Sequence, residues 1–355
     1  MASKEGPLPF PLTSMRSLQF LTTSALLFTV ACRAAPSIPA VPRSSPGTAV
    51  KETARAPAMA VALRPDGTLL AVASGTTVKL WDVATGTLAK ELTGHPEAVH
   101  SLQFSPDGAT LAAGAYQVVR LWNPESGAML RSLAGHSDRV TSLAFSPDGA
   151  ILAAAGGVAT RSGEVKLWSV ATGMARGTLG EHSDAVYGVA FSPDGQRLAT
   201  AAADKNVKLW EMATGKSLRT MTGHTDYVLG VAFSPDGKRL TSSGADHSIK
   251  RWDVESGEQT STAEAHKKQV LCLASSPNGK IAATSSQDQS VKLWDGANGN
   301  ATRTLSNLPQ VVLSLSFSQD GTFLAAGGWD GVTRLYNPAN GQLIKQLPPA
   351  EPEKK

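Results

Sequence analysis

Short stretches in which apolar residues alternate with small or polar residues recur along most of the chain. Between residues 227 and 264 these stretches are YVLGVAFS, KRLTSS, SIKRWDV and EQTSTAE, with PDG, GADH and ESG between them. An alternation with a period of two predicts β-strands, and Pro, Asp and Gly at the breaks predict turns between antiparallel neighbours. This unit is therefore expected to form four short antiparallel strands. No stretch after Cys32 shows a convincing helical period.

The four-strand unit recurs seven times along the chain. Turns of the type SPDG place their third residue at Asp66, Asp107, Asp148, Asp194, Asp236, Asn278 and Asp320. Segments of the type KLW place an aromatic residue at Trp81, Trp122, Trp168, Trp210, Trp252, Trp294 and Tyr336. A Gly-His pair or a variant of it ends at His95, His136, His182, His224 and His266. Three markers that keep one register, with copies 41 to 46 residues apart, are strong evidence for a repeat protein.

A four-stranded unit cannot bury both of its faces alone, whereas a closed ring of such units leaves no end unit exposed. Second strands rich in Ala and Gly, such as LAAGA and LATAAA, suit close packing between neighbouring sheets. We therefore predict an all-β fold, a seven-bladed β-propeller of four-stranded antiparallel blades over residues 51–348. The sequence does not decide which segment closes the ring. QLIKQLP resembles a fourth strand for unit seven, and TAVKET would compete for the same edge.

The sequence resembles the WD40-repeat family through the motifs GH, SPDG and KLWD, which recur across the whole predicted propeller. The resemblance implies that His, Ser or Thr, Asp and Trp form a hydrogen-bonded tetrad within a blade. Carried over by register, the tetrad is complete in units four to six. Its members there are His182, Thr200, Asp204 and Trp210; His224, Ser242, Asp246 and Trp252; and His266, Thr284, Asp288 and Trp294.

The stretch SSGADHSIKRWD, which begins at Ser242, also holds the residue types of a hydrolase site. A catalytic triad is defined by geometry and occurs once, whereas this set recurs at a constant period. We therefore interpret it as structural and expect no enzyme activity. The five periodic histidines fall in five different blades, so neither a metal site nor a cofactor is expected.

The remaining units depart from the tetrad. Unit one has Ala54 in place of the His, and unit two has Ala112 and Tyr116 in place of the Ser/Thr and the Asp. Unit seven has Leu308, Ala326 and Tyr336 in place of the His, the Ser/Thr and the Trp. These blades are expected to be held mainly by packing and to have lower local stability.

The resemblance also implies that partners bind the top face, formed by the loops between blades and the loops that join second and third strands. The family's contact positions fall three and five residues after the His and one residue before the Asp. The side chains expected to contact a partner are Arg139, Tyr187, Tyr227, Leu229, Leu271, Gln287, Leu313 and Trp329. Aromatic residues together with an arginine are favoured interface anchors. The alternative is that some of them plug the central channel.

Unit three carries extra residues, GVATRSGE at 157–164, between its second and third strands. The loop is expected to rise on the top face, where Arg161 would contact a partner. A tolerated insertion without function is an equal alternative, because surface loops accept added residues at little cost.

The residues that precede the repeats have the order of an export signal. MRSLQFLTTSALLFTVAC begins at Met15 and places a basic residue before an apolar run that ends in small residues. TVAC resembles the lipobox of bacterial lipoproteins, although Thr29 stands where leucine is usual. We interpret residues 1–32 as a leader with its true start at Met15, and Cys32 as a lipidation site. Ordinary cleavage after Ala35 is the alternative.

The segments on either side of the repeats have the composition of flexible chain. Residues 33–50 are rich in Pro, Ala and Ser and are expected to be a disordered linker, and residues 349–355 a short disordered tail. The chain is 41% hydrophobic and 17% charged with a net charge of +4, which allows a large core. Basic runs such as Lys267-Lys268 are only pairs, so no nucleic-acid partner is expected. Two cysteines exclude a disulfide framework, and Cys272 in VLCLASS is expected to be buried.

Together these features predict a non-enzymatic interaction scaffold that binds a protein or peptide partner on its top face. It would be exported to the cell envelope and tethered to the membrane through Cys32, or else secreted. An enzyme or sensor that binds a sugar, quinone or lactone in the central channel is the alternative function. A cytoplasmic scaffold with a poor N-terminal anchor is a third reading.

Overall fold

A computed structural model describes residues 55–306 and 308–348, apart from the side chain of residue 181. Within these ranges the chain forms 27 β-strands and no helix, so the predicted all-β class is confirmed. No helix in the described ranges is long and apolar enough to cross a membrane. The expected leader, Cys32, the linker, TAVKET and the C-terminal tail lie outside the described residues.

The first three repeats supply eleven strands. Blade one consists of β1 (Ala60–Leu63), β2 (Leu69–Ser74), β3 (Thr77–Asp82) and β4 (Leu88–Leu92). Blade two consists of β5 (Ser101–Phe104), β6 (Leu111–Gly114), β7 (Tyr116–Trp122) and the first part of β8 (Met129–Phe145). Blade three consists of the last part of β8, β9 (Ile151–Val158), β10 (Ser162–Ser169) and β11 (Ala175–His182).

The other four repeats supply sixteen strands. Blade four consists of β12 (Val186–Phe191), β13 (Arg197–Ala202), β14 (Asn206–Glu211) and β15 (Ser217–Thr222). Blade five consists of β16 (Val228–Phe233), β17 (Arg239–Gly244), β18 (Ser248–Asp253) and β19 (Gln259–Glu264). Blade six consists of β20 (Val270–Ser275), β21 (Ile281–Ser286), β22 (Val291–Asp295) and β23 (Ala301–Leu305). Blade seven consists of β24 (Val312–Phe317), β25 (Leu324–Gly328), β26 (Thr333–Tyr336) and β27 (Leu343–Leu347).

Blades two and three share one strand, which the sequence did not predict. β8 pairs with β7 over its first part and with β9 over its last part, so strands β5 to β11 form one seven-stranded sheet. The strand stays paired where the chain passes from blade two to blade three. There Tyr116 is opposite Arg139, and the Val140 N–H donates to the Ala115 carbonyl at 3.0 Å. The other five blades are separate four-stranded antiparallel sheets.

The hydrophobic core lies between neighbouring blades. One core cluster joins Ala71 and Leu80 of blade one to Phe104 and Trp122 of blade two. The second strands supply small, fully buried side chains there, as the Ala-rich pattern predicts. Each blade therefore completes the core of the next, which is the packing that a ring of two-faced sheets requires.

Small hydroxyl residues link the inner strands around the central channel. Ser314 Oγ accepts the Val61 N–H at 3.1 Å, and Ser316 Oγ accepts the Leu63 N–H at 3.0 Å. Ser101 Oγ donates to the Val140 carbonyl at 2.9 Å. Because adjacent inner strands are not paired in a sheet, these side chains satisfy backbone groups that would otherwise have no protein partner.

The last repeat supplies its own fourth strand. β27, which contains most of QLIKQLP, pairs with β26, so the described residues complete blade seven without a strand from the N-terminal side. Blade seven then meets blade one through the Ala58 N–H, which donates to the Gly328 carbonyl at 3.0 Å. Lys345 Nζ donates to the Val83 and Ala84 carbonyls of blade one at 2.9 and 2.6 Å.

We predict that Lys345→Met lowers the free energy of unfolding by about 1 kcal/mol, because two hydrogen bonds across the closing junction are lost. Urea unfolding measures the difference. The matched control is Lys79→Met, which removes an exposed ion pair to Glu91 at 3.2 Å within one blade. That control is expected to cost no more than about 0.5 kcal/mol. Equal effects of the two changes would contradict a role in closure.

Candidate functional site

Blades four, five and six each contain the same buried hydrogen-bonded set. The His Nδ1 to Asp Oδ2 distances are 2.8 Å for His182 and Asp204, 2.8 Å for His224 and Asp246, and 3.1 Å for His266 and Asp288. The His Nε2 atoms lie 2.6, 2.8 and 2.9 Å from the hydroxyls of Thr200, Ser242 and Thr284. The indoles donate to the same hydroxyls at 2.9, 2.8 and 2.8 Å from Trp210, Trp252 and Trp294.

For an imidazole with its single proton on Nδ1, this geometry gives each group in the set one role. Because the Ser242 hydroxyl accepts from the Trp252 indole, its own proton is donated to His224 Nε2. The proton on His224 Nδ1 is then donated to Asp246. Burial alone would raise the pKa of the Asp246 carboxyl, but the bonds from His224 and Ser248 hold that pKa well below its ordinary value. Ser242 is fully buried between two partners, so no substrate reaches it.

Two of the incomplete blades, two and seven, contain polar contacts at the tetrad position in addition to packing. In blade two, Trp122 Nε1 donates directly to His95 Nε2 at 3.3 Å. In blade seven, the Asp at the tetrad position, Asp330, forms a half-buried ion pair with Arg334 at 2.6 Å. An Arg four residues after the Asp is the signal that the sequence offered for this pair.

Blade three lacks the hydroxyl that joins the two rings of the tetrad. Ala154 occupies that place, since it is opposite Lys166 as Thr200 is opposite Lys208. As a result, His136 Nε2 and Trp168 Nε1 are buried without a hydrogen-bond partner in the described structure. The other side of the imidazole is covered by Glu164, whose Oε1 lies 3.2 Å from His136 Nδ1.

We predict that Ala154→Ser raises the free energy of unfolding by about 1 kcal/mol, because one hydroxyl gives both buried ring nitrogens a partner. The same change in blade two, Ala112→Ser, is expected to have a smaller effect because Trp122 already donates to His95. Thr200→Ala recreates the blade-three defect and is expected to cost about 2 kcal/mol. Denaturant unfolding of the three variants checks the order, and a destabilising Ala154→Ser would contradict it.

Two buried histidines are predicted to stay neutral well below neutral pH. Burial lowers the pKa of His95 and of His136 from 6.5 to about 4. Between pH 6.5 and 4 the unfolded chain then binds more protons than the folded protein, so the free energy of unfolding falls as the pH is lowered through this window. An NMR titration of the imidazole resonances measures both values. Midpoints near 6.5 would contradict the prediction.

The predicted partner-binding residues fall into two groups on the structure. Tyr187, Leu229, Leu271 and Leu313 are half-buried and line the mouth of a central channel of about 590 Å³. The channel walls are the seven inner strands. These four side chains therefore belong to the lining of the channel.

The second group of predicted residues lies outside the channel lining. Tyr227 and Trp329 are half-buried, and Arg139 is exposed. Gln287 is held by a neighbour, because its Nε2 donates to Gln269 Oε1 at 3.1 Å. Trp329 is anchored through its backbone N–H, which donates to the Val311 carbonyl at 2.8 Å.

The polar part of the channel mouth lies on blades two to four. Burial and then the charge of Arg139 lower the pKa of His100, so this imidazole is neutral at pH 7. Burial and then Asp184 raise the pKa of Tyr187 to about 12, so its hydroxyl keeps its proton. Both side chains therefore offer a hydrogen-bond donor beside the guanidinium of Arg139.

The inserted loop of unit three extends a hairpin on the same face. β9 and β10 pair as far as Val158 and Ser162, and the Thr160 N–H donates to Asp184 Oδ1 of blade four at 2.7 Å. Arg161, at the tip, is exposed. The loop is thus docked against the neighbouring blade, and its arginine is presented to solvent.

The sequence analysis missed one aromatic residue on the top face. Tyr116 stands where other units have the tetrad Asp, and its side chain is 43% exposed. It is opposite Arg139 in the sheet. The sequence shows that unit two lacks the tetrad Asp. The residue in its place, Tyr116, lies beside the exposed Arg139.

The described residues contain no group of three or more His, Cys, Asp or Glu side chains that would hold a metal ion. The tetrads lie in separate blades and the channel lining is mostly apolar, small or hydroxyl-bearing. This arrangement is suited to contact with another molecule over a surface.

The repeated tetrad, turns and blade order agree with a comparison to known families. The sequence profile of the WD domain, G-beta repeat family matches seven consecutive segments, at residues 52–82, 86–123, 127–169, 173–211, 215–253, 257–295 and 300–337. The chain belongs to the WD40 family. A comparison with curated proteins finds no significant match. WD40 repeats generally serve as interaction scaffolds and are typically non-enzymatic.

Proposed function

We propose that this WD40 propeller is a non-enzymatic scaffold that binds a protein or peptide partner across the mouth of its channel. The observation that carries the proposal is the division of this mouth into an apolar part and a polar part. Leu229, Leu271 and Leu313 of blades five to seven are half-buried and form the apolar part. His100 and Tyr187, beside Arg139, form the polar part.

Such a division suits a polypeptide ligand. Apolar side chains of a partner would contact the three leucines, and its backbone carbonyls would accept from Tyr187 and Arg139. Tyr227 and Trp329 extend the surface beyond the channel, and aromatic residues next to an arginine are typical of the residues that dominate binding energy. Tyr116 adds a further exposed ring beside Arg139.

A small-molecule ligand in the channel is the second candidate. Its support is the channel volume of about 590 Å³, which falls within the range of ligand pockets. The walls, however, offer few convergent charged groups, so this candidate ranks below a polypeptide partner.

The place of the scaffold in the cell is part of the proposal. The basic, apolar and small-residue order of the leader supports export, and Cys32 at its end supports attachment by lipid. One acyl chain alone gives marginal binding, so stable anchoring requires more than one. Mass spectrometry of the N-terminal peptide from native membranes tests this, since an unmodified Cys32 would contradict it.

We predict that the double variant Tyr227→Glu, Trp329→Ala loses a partner that co-purifies with the wild-type chain from detergent-solubilised envelope. Glutamate places a charge in the apolar surface, and alanine removes the largest side chain beside it. A quantitative pull-down with mass spectrometry measures the loss.

The matched control is Leu343→Glu, which places the same charge on the outer edge of blade seven, where Leu343 is 40% exposed. The wild type, the double variant and the control are compared only after their melting temperatures have been shown to be equal. Retention of the same partners by the double variant would show that they bind elsewhere, and absence of partners from every sample would favour the small-molecule candidate.

A further inference from the structure

One groove far from the channel mouth has an unusual charge. It lies between blades five and six, at the ends that carry the SPDG-type turns, and is called here the five–six groove. Its volume is about 530 Å³. Its lining contains three basic residues, Arg239, Arg251 and Lys280, and two acidic residues, Asp236 and Asp295. Asn278 and Ala297 also line it.

Arg251 occupies a position that is buried leucine in every other blade. The equivalent residues are Leu80, Leu121, Leu167, Leu209, Leu293 and Leu335. Its cross-strand neighbour is Thr241, where the other six blades have Ala71, Ala112, Ala153, Ala199, Ala283 and Ala325. Two polar residues therefore replace an apolar pair at one place in the ring.

The Arg251 and Arg239 guanidiniums converge on one turn of blade six. Arg239 Nη1 donates to the Ala297 carbonyl at 2.8 Å, and Arg251 Nη1 donates to the same oxygen at 3.2 Å. Arg251 Nη2 also donates to the carbonyls of Asp295 and Gly296 at 3.0 and 3.3 Å. Burial and then Arg239 lower the pKa of Arg251, so the two like charges oppose each other in a half-buried place. Each guanidinium has five N–H groups. Arg251 uses three of them and Arg239 uses one for these bonds to the turn, so both keep further donors.

The corresponding groove between blades four and five balances its charge. There Arg197 Nη2 lies 3.1 Å from Glu255 Oε2, and Arg219 Nη2 donates to the Glu255 carbonyl at 3.1 Å. The residue at the register position of Glu255 in blade six is Ala297, three residues after the tetrad Trp. Arg239 stands at the register position of Arg197 and so faces an alanine.

A carboxylate that the other six repeats share is missing from the same groove. Six of the seven SPDG-type turns have Asp at the third position, whereas blade six has Asn278. Asn278 Oδ1 keeps the structural role, since it accepts from the Ser276 hydroxyl and the Lys280 N–H at 2.9 Å each. The replacement thus removes charge and leaves the turn intact.

The carboxylates that remain nearby are used locally. Asp236 Oδ1 accepts from Ser234 and the Lys238 N–H, and Asp295 Oδ1 accepts from the Ala297 and Asn298 N–H groups. Turn carboxylates of this kind occur beside the four–five groove too, at Asp194, and that groove still has Glu255.

A purely structural role, in which the arginines hold the turn of the next blade, explains only part of this arrangement. Basic residues of fourth strands elsewhere donate to the same turn carbonyls of the next blade, as Lys345 and Arg131 do. Blade five has Ser261 at that position, so Arg251 substitutes for the missing donor. This substitution accounts for Arg251, but it leaves unexplained why Arg239 faces the same turn and why Asn278 replaces an Asp. Ala297 itself follows the repeat pattern, because five of the seven repeats have alanine at that position.

We propose that the five–six groove binds an oxyanion, a phosphate or carboxylate group, between Arg239 and Arg251. Guanidinium groups recognise these anions through charge-assisted hydrogen bonds, and the two guanidiniums meet at one carbonyl, that of Ala297. The anion takes the place that the Glu255 carboxylate fills in the neighbouring groove. This site is separate from the channel mouth and does not depend on the proposed scaffold function.

The test titrates the full chain with inorganic phosphate and, separately, with acetate, at constant ionic strength set by chloride, using isothermal calorimetry. Saturable binding at one site is expected for at least one anion, and the comparison of the two identifies the preferred group. Ala297→Glu, which supplies the missing carboxylate, is expected to weaken binding about tenfold or more. Arg239→Gln is expected to do the same.

The matched control is Arg197→Gln in the four–five groove, which is expected to leave the affinity unchanged. A thermal shift adds a second readout, since a bound anion raises the melting temperature of the wild type but not of Ala297→Glu. Equal responses of Ala297→Glu and wild type would overturn the proposal, and so would the absence of saturable binding to the wild type. Neither result bears on the pull-down from the channel mouth.

Discussion

Every blade of this protein depends on its neighbours to bury its two faces. A four-stranded sheet has apolar residues on both sides, and the clusters that bury them draw residues from two adjacent blades, as Trp122 of blade two packs with Leu80 of blade one. The closed ring satisfies this constraint without any end blade. The junction between blades seven and one is therefore as necessary as any other, although its strands come from opposite ends of the repeat array.

The fold was predictable because several independent features of each repeat predict the same local structure. Alternating strands, Pro-Asp-Gly turns and a periodic aromatic residue agree on strand number and order, and seven copies agree on the ring. The shared strand β8 was not predictable in this way, because strand continuity from residue 129 to residue 145 depends on the pairing of Tyr116 with Arg139 across two repeats.

The site was predictable to a lesser degree. Register assigned the tetrads, since their spacing is constant, and it placed Tyr187 and the three leucines on the top face. Register could not tell a channel-lining side chain from a free surface side chain, because both occupy the same position along a strand. It also could not foresee that Arg251 meets Arg239, since this contact arises where one blade leaves the repeat pattern.

The strand shared by blades two and three has a consequence for how the ring opens. Elsewhere two blades are joined by a loop, by packing and by a few hydrogen bonds, such as the one from the Val61 N–H to Ser314 Oγ. Between blades two and three, separation also bends the continuous strand β8 and breaks its backbone pairing with Tyr116 and Ala115. These two repeats consequently form one cooperative unit about twice the size of a blade. Local opening of the ring is therefore expected first at the other junctions between blades.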